Sequence, residues 1–218
     1  MTAVGELTPA ERSILGGGTA GFETVQQIIN IAATAEAFAV TALGGALASA
    51  ANGALALNAL QRQTFTAVRA AEQAHYAYLI GAGAKPLTTT FTVPDPKIVT
   101  DVPTFLLSVI GLEEVFIAAY LAAAQEFAIL GQPRLAQVAL QIGAVEAEHR
   151  AGARFFAVEA GLISGTPNDV AFEKALFTSV SGAADALQGL GFIGGRGTQI
   201  TYPGPGAIDN TGVHFLRP

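Results

Sequence analysis

The sequence predicts an all-α protein, an antiparallel four-helix bundle with one long crossover connection. Four long segments repeat their apolar residues with a helical period. Short turns rich in glycine, asparagine or proline join the first segment to the second and the third to the fourth, whereas a longer stretch with several prolines separates the second from the third. A shorter helix and an irregular Gly/Pro-rich tail are expected after the bundle.

The first two bundle helices are predicted over about residues 22–49 and 54–82, with Asn52-Gly53 as the turn between them. Ahead of them, TPAE at residues 8–11 has the pattern of a capping box with proline at the first helical position. This pattern predicts a short N-terminal helix that ends at the glycines of residues 16–18.

The connection over residues 84–102 contains three prolines and a β-branched run, which disfavour helix. At full extension the connection reaches about 60 Å. A bundle helix of about 28 residues is only about 42 Å long. The connection can therefore run the length of the bundle and make the second and third helices parallel. The third and fourth helices are predicted over about residues 103–130 and 133–160, and Gly161 is a candidate C-terminal cap.

A shorter helix is expected within residues 169–190, and the tail of residues 191–218 is expected to be extended or irregular. The chain is thus divided into an N-terminal segment, residues 1–20, a bundle domain, residues 21–190, and this tail. The apolar residues of the tail predict that it packs on something. It either lies on its own bundle or adds a strand to a neighbouring subunit, so a homo-oligomer or higher assembly is possible.

Composition excludes several function classes. Only 13% of the residues are charged and 51% are hydrophobic, so much of the chain is buried in itself or in partners. A net charge of -6 with no basic cluster argues against nucleic acid as a partner. The absence of cysteine excludes disulfides, a thiolate nucleophile, and zinc or iron–sulfur sites with cysteine ligands. Any electron donor would have to be external, because a rubredoxin-type site also needs cysteine.

One segment, residues 37–60, has no charged residue and the length of a membrane-spanning helix. Its small and turn-prone residues favour close helix packing instead. The N-terminus lacks a basic region followed by an apolar run, so we expect no secretory signal in the chain as given. The compartment stays open, because a chain trimmed of its signal would look the same.

Two of the three histidines follow a glutamate by three positions, in AEQAH and VEAEH. These are Glu72 with His75 and Glu146 with His149. Helical positions three apart lie on one face, so each pair can direct a carboxylate and an imidazole at one point. A carboxylate that faces the core without a partner is costly, which calls for a compensating cation.

The other two helices each offer one glutamate on the corresponding face, Glu36 in the first and Glu113 in the third. Glu114 is the rival to Glu113, but it is rotated by about 100° around the helix. Residues equidistant from a turn lie level in an antiparallel hairpin. Glu36 and Glu72 are equidistant from a point beside Asn52-Gly53, and Glu113 and Glu146 from a point beside the turn at residue 131.

This set, one glutamate from each of two helices and Glu-x-x-His from each of the other two, resembles the ligand pattern of ferritin-like di-iron and di-manganese carboxylate proteins. Within that superfamily the chain looks most like the desiccation-related ferritin-like domain proteins. LEEVFIAAYLAAA, residues 112–124, is similar to their third helix, where a tyrosine follows a glutamate by seven positions. The resemblance covers about residues 20–190 and leaves the glycine-rich N-terminal segment and the tail unexplained.

The resemblance implies a ferritin-like fold that holds two iron or two manganese ions. Four carboxylates would balance two divalent cations while both imidazoles stay neutral. The implied ligands are the bridging carboxylates Glu72 and Glu146, the terminal carboxylates Glu36 and Glu113, and one imidazole for each metal, from His75 and His149.

A purely structural alternative remains, in which the six residues are buried polar groups in salt bridges or hydrogen bonds. Arg69 or Arg150 could then pair with a glutamate. Three tyrosines could lie near the metals and relay an electron or proton, or could be ordinary core residues. Glu148 is expected to face solvent, and His214 to be a tail residue. The tyrosines are Tyr76, Tyr78 and Tyr120.

The leading functional hypothesis is redox chemistry with O₂ or peroxide at two iron or two manganese ions, either ferroxidase-like or catalase-like. The two reactions use nearly the same ligands, so the sequence does not choose between them or identify the metal. The rival hypothesis is a structural, stress-protective or desiccation-protective assembly protein on the same scaffold. Iron storage is a third possibility, which needs a closed shell of many chains.

Overall fold

A computed structural model describes residues 23–210 and 212–218, and over these residues the fold is mostly helical. It confirms the predicted all-α bundle. The N-terminal helix predicted near residues 8–18 lies outside the described residues. In chain order the elements are α1 (Val25–Ala51), α2 (Ala59–Gly81), β1 (Thr90–Val93), a 3-10 helix (Pro96–Val99), α3 (Val102–Ile129), α4 (Pro133–Glu159), α5 (Ser181–Gly189), β2 (Thr198–Thr201) and a second 3-10 helix (Pro205–Ala207).

The connection between α2 and α3 crosses the length of the bundle. It starts beside the first turns of α1, where the Lys85 backbone N–H donates to Asn30 Oδ1 at 2.7 Å. It ends beside the last turns of α1, where the Ser49 hydroxyl donates to the Val99 carbonyl. Helices α2 and α3 therefore begin at the same end and run parallel, as predicted. Helix α1 packs chiefly against α2, and α3 against α4, so both hairpins are antiparallel.

Helix α2 begins at Ala59, so the predicted start near residue 54 is wrong. Asn58 is the N-cap: its side-chain oxygen accepts from the Gln61 backbone N–H at 2.8 Å, and the Gln61 side chain accepts from the Asn58 N–H at 2.9 Å. This reciprocal pair is a capping box. The turn at Asn52-Gly53 is thus only the first part of a longer loop. The predicted cap Gly161 has a φ of 68°, in the left-handed region that suits glycine at a helix end.

The connection and the tail form a small antiparallel sheet on the bundle. Strand β1 pairs with β2, with Thr90 opposite Thr201 and Val93 opposite Thr198. Just after β2, the Tyr202 hydroxyl donates to Gln73 Oε1 at 2.6 Å. The tail therefore packs on its own bundle, one of the two predicted alternatives. A role of the tail in assembly stays a prediction.

Helices α1 and α3 are both long and apolar enough to cross a membrane, by length and composition only. In each, 61% of the most apolar window is buried inside the protein. The core helix of a bundle has the same property, and both helices supply core residues such as Phe38 and Leu106. The uncharged segment over residues 37–60 is not one helix, because α1 ends at Ala51 and a loop follows.

Glu126 on α3 ties the start of α1 to the start of α5, a role that the sequence did not reveal. The carboxylate is fully buried. It accepts from the backbone N–H of Glu23 at 3.1 Å and from that of Val180 at 3.0 Å. Burial raises the pKa of Glu126, and the two N–H donors oppose this rise by stabilising the charged form. A single carboxylate thus holds two chain segments far apart in sequence.

We expect Glu126→Ala to lower the free energy of unfolding by about 2–4 kcal/mol, because it leaves two backbone N–H groups near the core without an acceptor. Urea denaturation of the variant and the parent measures the change. The control is Glu114→Ala on the same helix, which removes only an exposed ion pair with Lys174 at 3.1 Å and should cost about 1 kcal/mol or less. Equal losses in the two variants would contradict the role of Glu126.

Candidate metal centre

All six predicted site residues meet near the middle of the bundle. The N-terminal hairpin supplies Glu36 from α1 and the pair Glu72 and His75 from α2. In this hairpin His75 Nδ1 lies 3.5 Å from Glu36 Oε2, so the two helices are level there as predicted. All the side chains are buried except that of His75, which is 12% exposed. The second hairpin supplies Glu113 from α3 and the pair Glu146 and His149 from α4.

The six residues form two overlapping groups, each with ligand atoms within 4.8 Å of one another. His75 Nδ1 lies 3.3 Å from Glu72 Oε2 and 3.3 Å from Glu146 Oε1. His149 Nδ1 lies 2.9 Å from Glu72 Oε1 and 3.0 Å from Glu146 Oε2. Glu72 and Glu146 therefore each turn one oxygen toward each histidine. The first group is Glu36, Glu72, His75 and Glu146, and the second is Glu72, Glu113, Glu146 and His149.

In the part of the chain that the structure describes, no lysine or arginine pairs with the glutamates of this cluster. Among the described residues, the ion pairs of these glutamates are with the two histidines only. Arg150 instead pairs with Glu173 through two contacts of 2.6 and 2.7 Å, and Arg69 donates to the Val40 carbonyl. Neither arginine therefore pairs with a site glutamate, whereas the broader structural alternative, in which the six residues are buried polar groups that bind one another, stays a prediction.

Four carboxylate oxygens at the cluster are buried with no hydrogen-bond donor aimed at them. Such atoms are costly unless a cation takes the place of water. The histidines lie close to several of these oxygens, but a neutral imidazole offers only one N–H. The cluster can hold a metal ion through oxygen and nitrogen donors. The four atoms are Glu36 Oε2, Glu72 Oε1, Glu113 Oε2 and Glu146 Oε1.

A comparison with protein-family models gives a match to the ferritin-like domain over residues 24–159, more than half of the chain. The chain belongs to the ferritin-like domain family. The matched range spans α1 to α4 and contains all six cluster residues, whereas α5 and the tail lie beyond it. Comparisons with curated proteins and with solved structures give no match. The likeness to the desiccation-related group therefore stays a prediction.

The charges of the six-residue cluster shift the pKa values of its members in different directions. Burial and then the neighbouring carboxylates raise the pKa of Glu36 and of Glu113 well above the ordinary value. Burial alone would also raise the pKa of Glu72, but its contacts with His149 and His75 outweigh burial and hold that pKa well below the ordinary value. For both histidines, burial lowers the pKa, but the surrounding carboxylates outweigh it and raise the pKa well above the ordinary value.

These directions predict that the metal-free protein loses stability as the pH rises above the ordinary histidine pKa of about 6.5. The raised pKa values of the two histidines mean that the folded state holds more protons than the unfolded state there. The free energy of unfolding then falls by about 1.4 kcal/mol per pH unit for each extra proton. The lowered pKa of Glu72 acts only in acid, where its stabilising charge is lost as the pH falls.

Urea denaturation of the chelator-treated protein at pH 6.5, 7.5 and 8.5 measures this dependence. The metal-saturated protein is the control, because bound cations replace the protons and the fall should disappear. A stability of the metal-free protein that is constant or rises over this range would contradict the protonation states described above.

Tyr120 on α3 makes a hydrogen bond to the cluster. Its hydroxyl donates to Glu36 Oε1, and the side chain is buried. Burial, together with the charges of Glu36 and Glu146, raises the pKa of Tyr120 well above its ordinary value, so its proton stays on the phenol. Tyr76 instead packs against Tyr202 in a tilted arrangement, with ring centroids 4.7 Å apart. The hydrogen bond identifies Tyr120 as the residue that orients the outer carboxylate Glu36.

The remaining sequence candidates lie away from the cluster. Glu148 is exposed on α4, as expected, and His214 is exposed in the tail. Glu114, the rival to Glu113, faces outward and binds Lys174. The choice of Glu113 over Glu114 from helical geometry thus agrees with the placement of the two side chains.

Proposed function

We propose that the chain is a dinuclear metalloprotein that binds two iron or two manganese ions and carries out redox chemistry with O₂ or peroxide. The observation that carries the proposal is the pair of overlapping four-residue groups that share Glu72 and Glu146. Each histidine has its own outer glutamate, Glu36 beside His75 and Glu113 beside His149. A single metal ion would leave one of these two outer pairs without a role.

The chemistry of the donors supports iron or manganese. Carboxylate and imidazole ligands suit both metals, and the chain has no cysteine to favour a soft metal. The four glutamates provide four negative charges, which balance two divalent cations when both histidines are neutral. When bound, the two ions would supply the redox chemistry with the oxidant.

The surrounding residues would hold the cluster in place and limit the access of water. Tyr120 fixes one oxygen of Glu36 by its hydrogen bond, which leaves the other oxygen, Glu36 Oε2, free of donors and available to a metal. Phe38 and Phe116 pack edge to face and line a small cavity together with Glu113. This apolar packing would protect a reactive centre from competing reactions with water.

Metal analysis combined with two activity assays tests the proposal. Purified protein loaded with Fe(II) or Mn(II) is assayed for Fe(II) oxidation by O₂ and for peroxide disproportionation, with Glu72→Ala as the inactive control. We expect two metal ions per chain and turnover in one of the assays. A protein that holds two metal ions but is inert in both assays would contradict the redox function and would favour a structural role for the metals.

A further inference from the structure

His75 is the most exposed of the six cluster residues. Its side chain is 12% exposed, compared with 8% for His149, 5% for Glu113 and 3% or less for the other three glutamates. His75 lines a groove of about 480 Å³ between α2 and α4. The other walls are mostly small or apolar, including Ala74 on α2 and Val138 and Ile142 on α4.

The last residues of the chain lie over this groove. Phe215, Leu216, Arg217 and Pro218 line its outer side. Leu216 is half-buried and also lines a second, neighbouring cavity on α2, whereas Phe215 is fully exposed. A segment with so little buried apolar surface opens at low free energy. Strand β2 and Tyr202 attach the tail to the bundle upstream, so this end can move while the tail stays docked.

We propose that the groove between α2 and α4 is the entrance to the metal centre and that residues 212–218 are a displaceable roof over it. The roof limits how fast divalent cations and small oxidants reach His75. This inference rests on the proposed function, because it assigns the route to the proposed metal centre. The groove is large enough for divalent cations and small oxidants, because its volume of about 480 Å³ is many times the roughly 30 Å³ that a water molecule takes up in the liquid.

Two other openings are weaker candidates: a cavity of only about 40 Å³ that is lined by Glu113, and a cleft between α3 and α4. This cleft of about 210 Å³ is lined by Tyr120, Gly143 and Ala147 among others, and none of the six cluster residues lines it. Tyr120 stands between the cleft and Glu36, so entry by this route would require the tyrosine to move. In the groove between α2 and α4, a solute meets a cluster residue directly.

Three variants separate the two routes, with Co²⁺ as the probe because its binding is followed by visible absorbance. Deletion of residues 212–218 should speed Co²⁺ uptake by the metal-free protein about fivefold, which corresponds to about 1 kcal/mol. Ala74→Leu, which fills the groove, should slow uptake by a similar factor. Ala147→Leu is the matched control, because it makes the same change beside a cluster glutamate in the cleft between α3 and α4. It should leave the rate of Co²⁺ uptake within about twofold of that of the parent protein.

Labelling of histidines in the metal-free protein gives a second readout that does not depend on metal binding. Diethyl pyrocarbonate modifies accessible imidazoles, and peptide mass spectrometry locates the modified residue. The deletion should speed modification of His75 and leave that of the buried His149 unchanged. If Co²⁺ binds normally but neither uptake nor labelling responds to the deletion, the roof is refuted and the proposed function stands.

Two further outcomes are decisive. Slower uptake in Ala147→Leu but not in Ala74→Leu would place the entrance in the cleft between α3 and α4 and overturn the inference. If no Co²⁺, Fe(II) or Mn(II) binds at all, the proposed function fails. Faster labelling of His75 in the deletion variant would then still establish the roof over the groove.

Discussion

Saturation with Fe(II) or Mn(II) is expected to raise the melting temperature of the metal-free protein by about 5–11 °C. This range corresponds to about 2.7 kcal/mol for one site at a free-metal concentration 100 times its dissociation constant. The physical reason is the density of negative charge: four buried carboxylates converge on two imidazoles with no lysine or arginine paired to them in the part of the chain that the structure describes. Cations would relieve this repulsion in the folded state only.

Differential scanning calorimetry of chelator-treated protein, with and without added metal, measures the shift. Glu72→Ala is the control, because it removes a carboxylate shared by both groups and should lose most of the response. Magnesium, which dehydrates reluctantly and avoids imidazole ligands, should shift the melting temperature less. An unchanged melting temperature with both Fe(II) and Mn(II) would contradict metal binding at the cluster.

The second large effect is expected from the two glutamates that belong to both groups. Glu72→Ala or Glu146→Ala should weaken both centres by more than about 100-fold, since even ligand-supporting residues contribute 10–100-fold to metal affinity. Glu36→Ala and Glu113→Ala should each weaken one centre, because each residue belongs to only one group. Equilibrium dialysis with elemental analysis would then give two ions per chain for the parent and about one for each of these outer variants.

The chain offers two matched controls for this series. Glu148 lies two positions after Glu146 on α4 but is exposed, and Glu114 follows Glu113 on α3 but pairs with Lys174. Glu148→Ala and Glu114→Ala remove the same charge and should keep two ions per chain. Loss of as much metal in these controls as in Glu146→Ala and Glu113→Ala would contradict the assigned ligands.

The bundle and the convergence of the six residues could be predicted because both depend on local periodicity. The spacing of three positions in AEQAH and VEAEH puts each pair on one helix face. Turn residues alone placed Glu36 level with Glu72, and His75 Nδ1 indeed lies 3.5 Å from Glu36. The start of α2 was missed, although Asn58 and Gln61 have the spacing of a capping box and could have indicated it.

The features that could not be predicted depend on contacts between distant parts of the chain. Glu126 looks like any other helical glutamate in the sequence, and only the docking of Glu23 and Val180 beside it explains its burial. Strands β1 and β2 have four residues each and lie more than a hundred positions apart, so no local sequence pattern indicates that they pair. The salt bridge between Arg150 and Glu173 likewise forms only because the segment after α4 returns along that helix.

Anomalous diffraction from crystals of the metal-loaded protein, recorded at the iron and manganese absorption edges, tests the central claim most directly. Two anomalous peaks are expected in each chain, one beside His75 Nδ1 and one beside His149 Nδ1, with Glu72 and Glu146 contacting both. The edge at which the peaks appear identifies the metal. Crystals of metal-saturated protein with no anomalous peak among these six residues, or with a single peak there, would contradict a dinuclear centre.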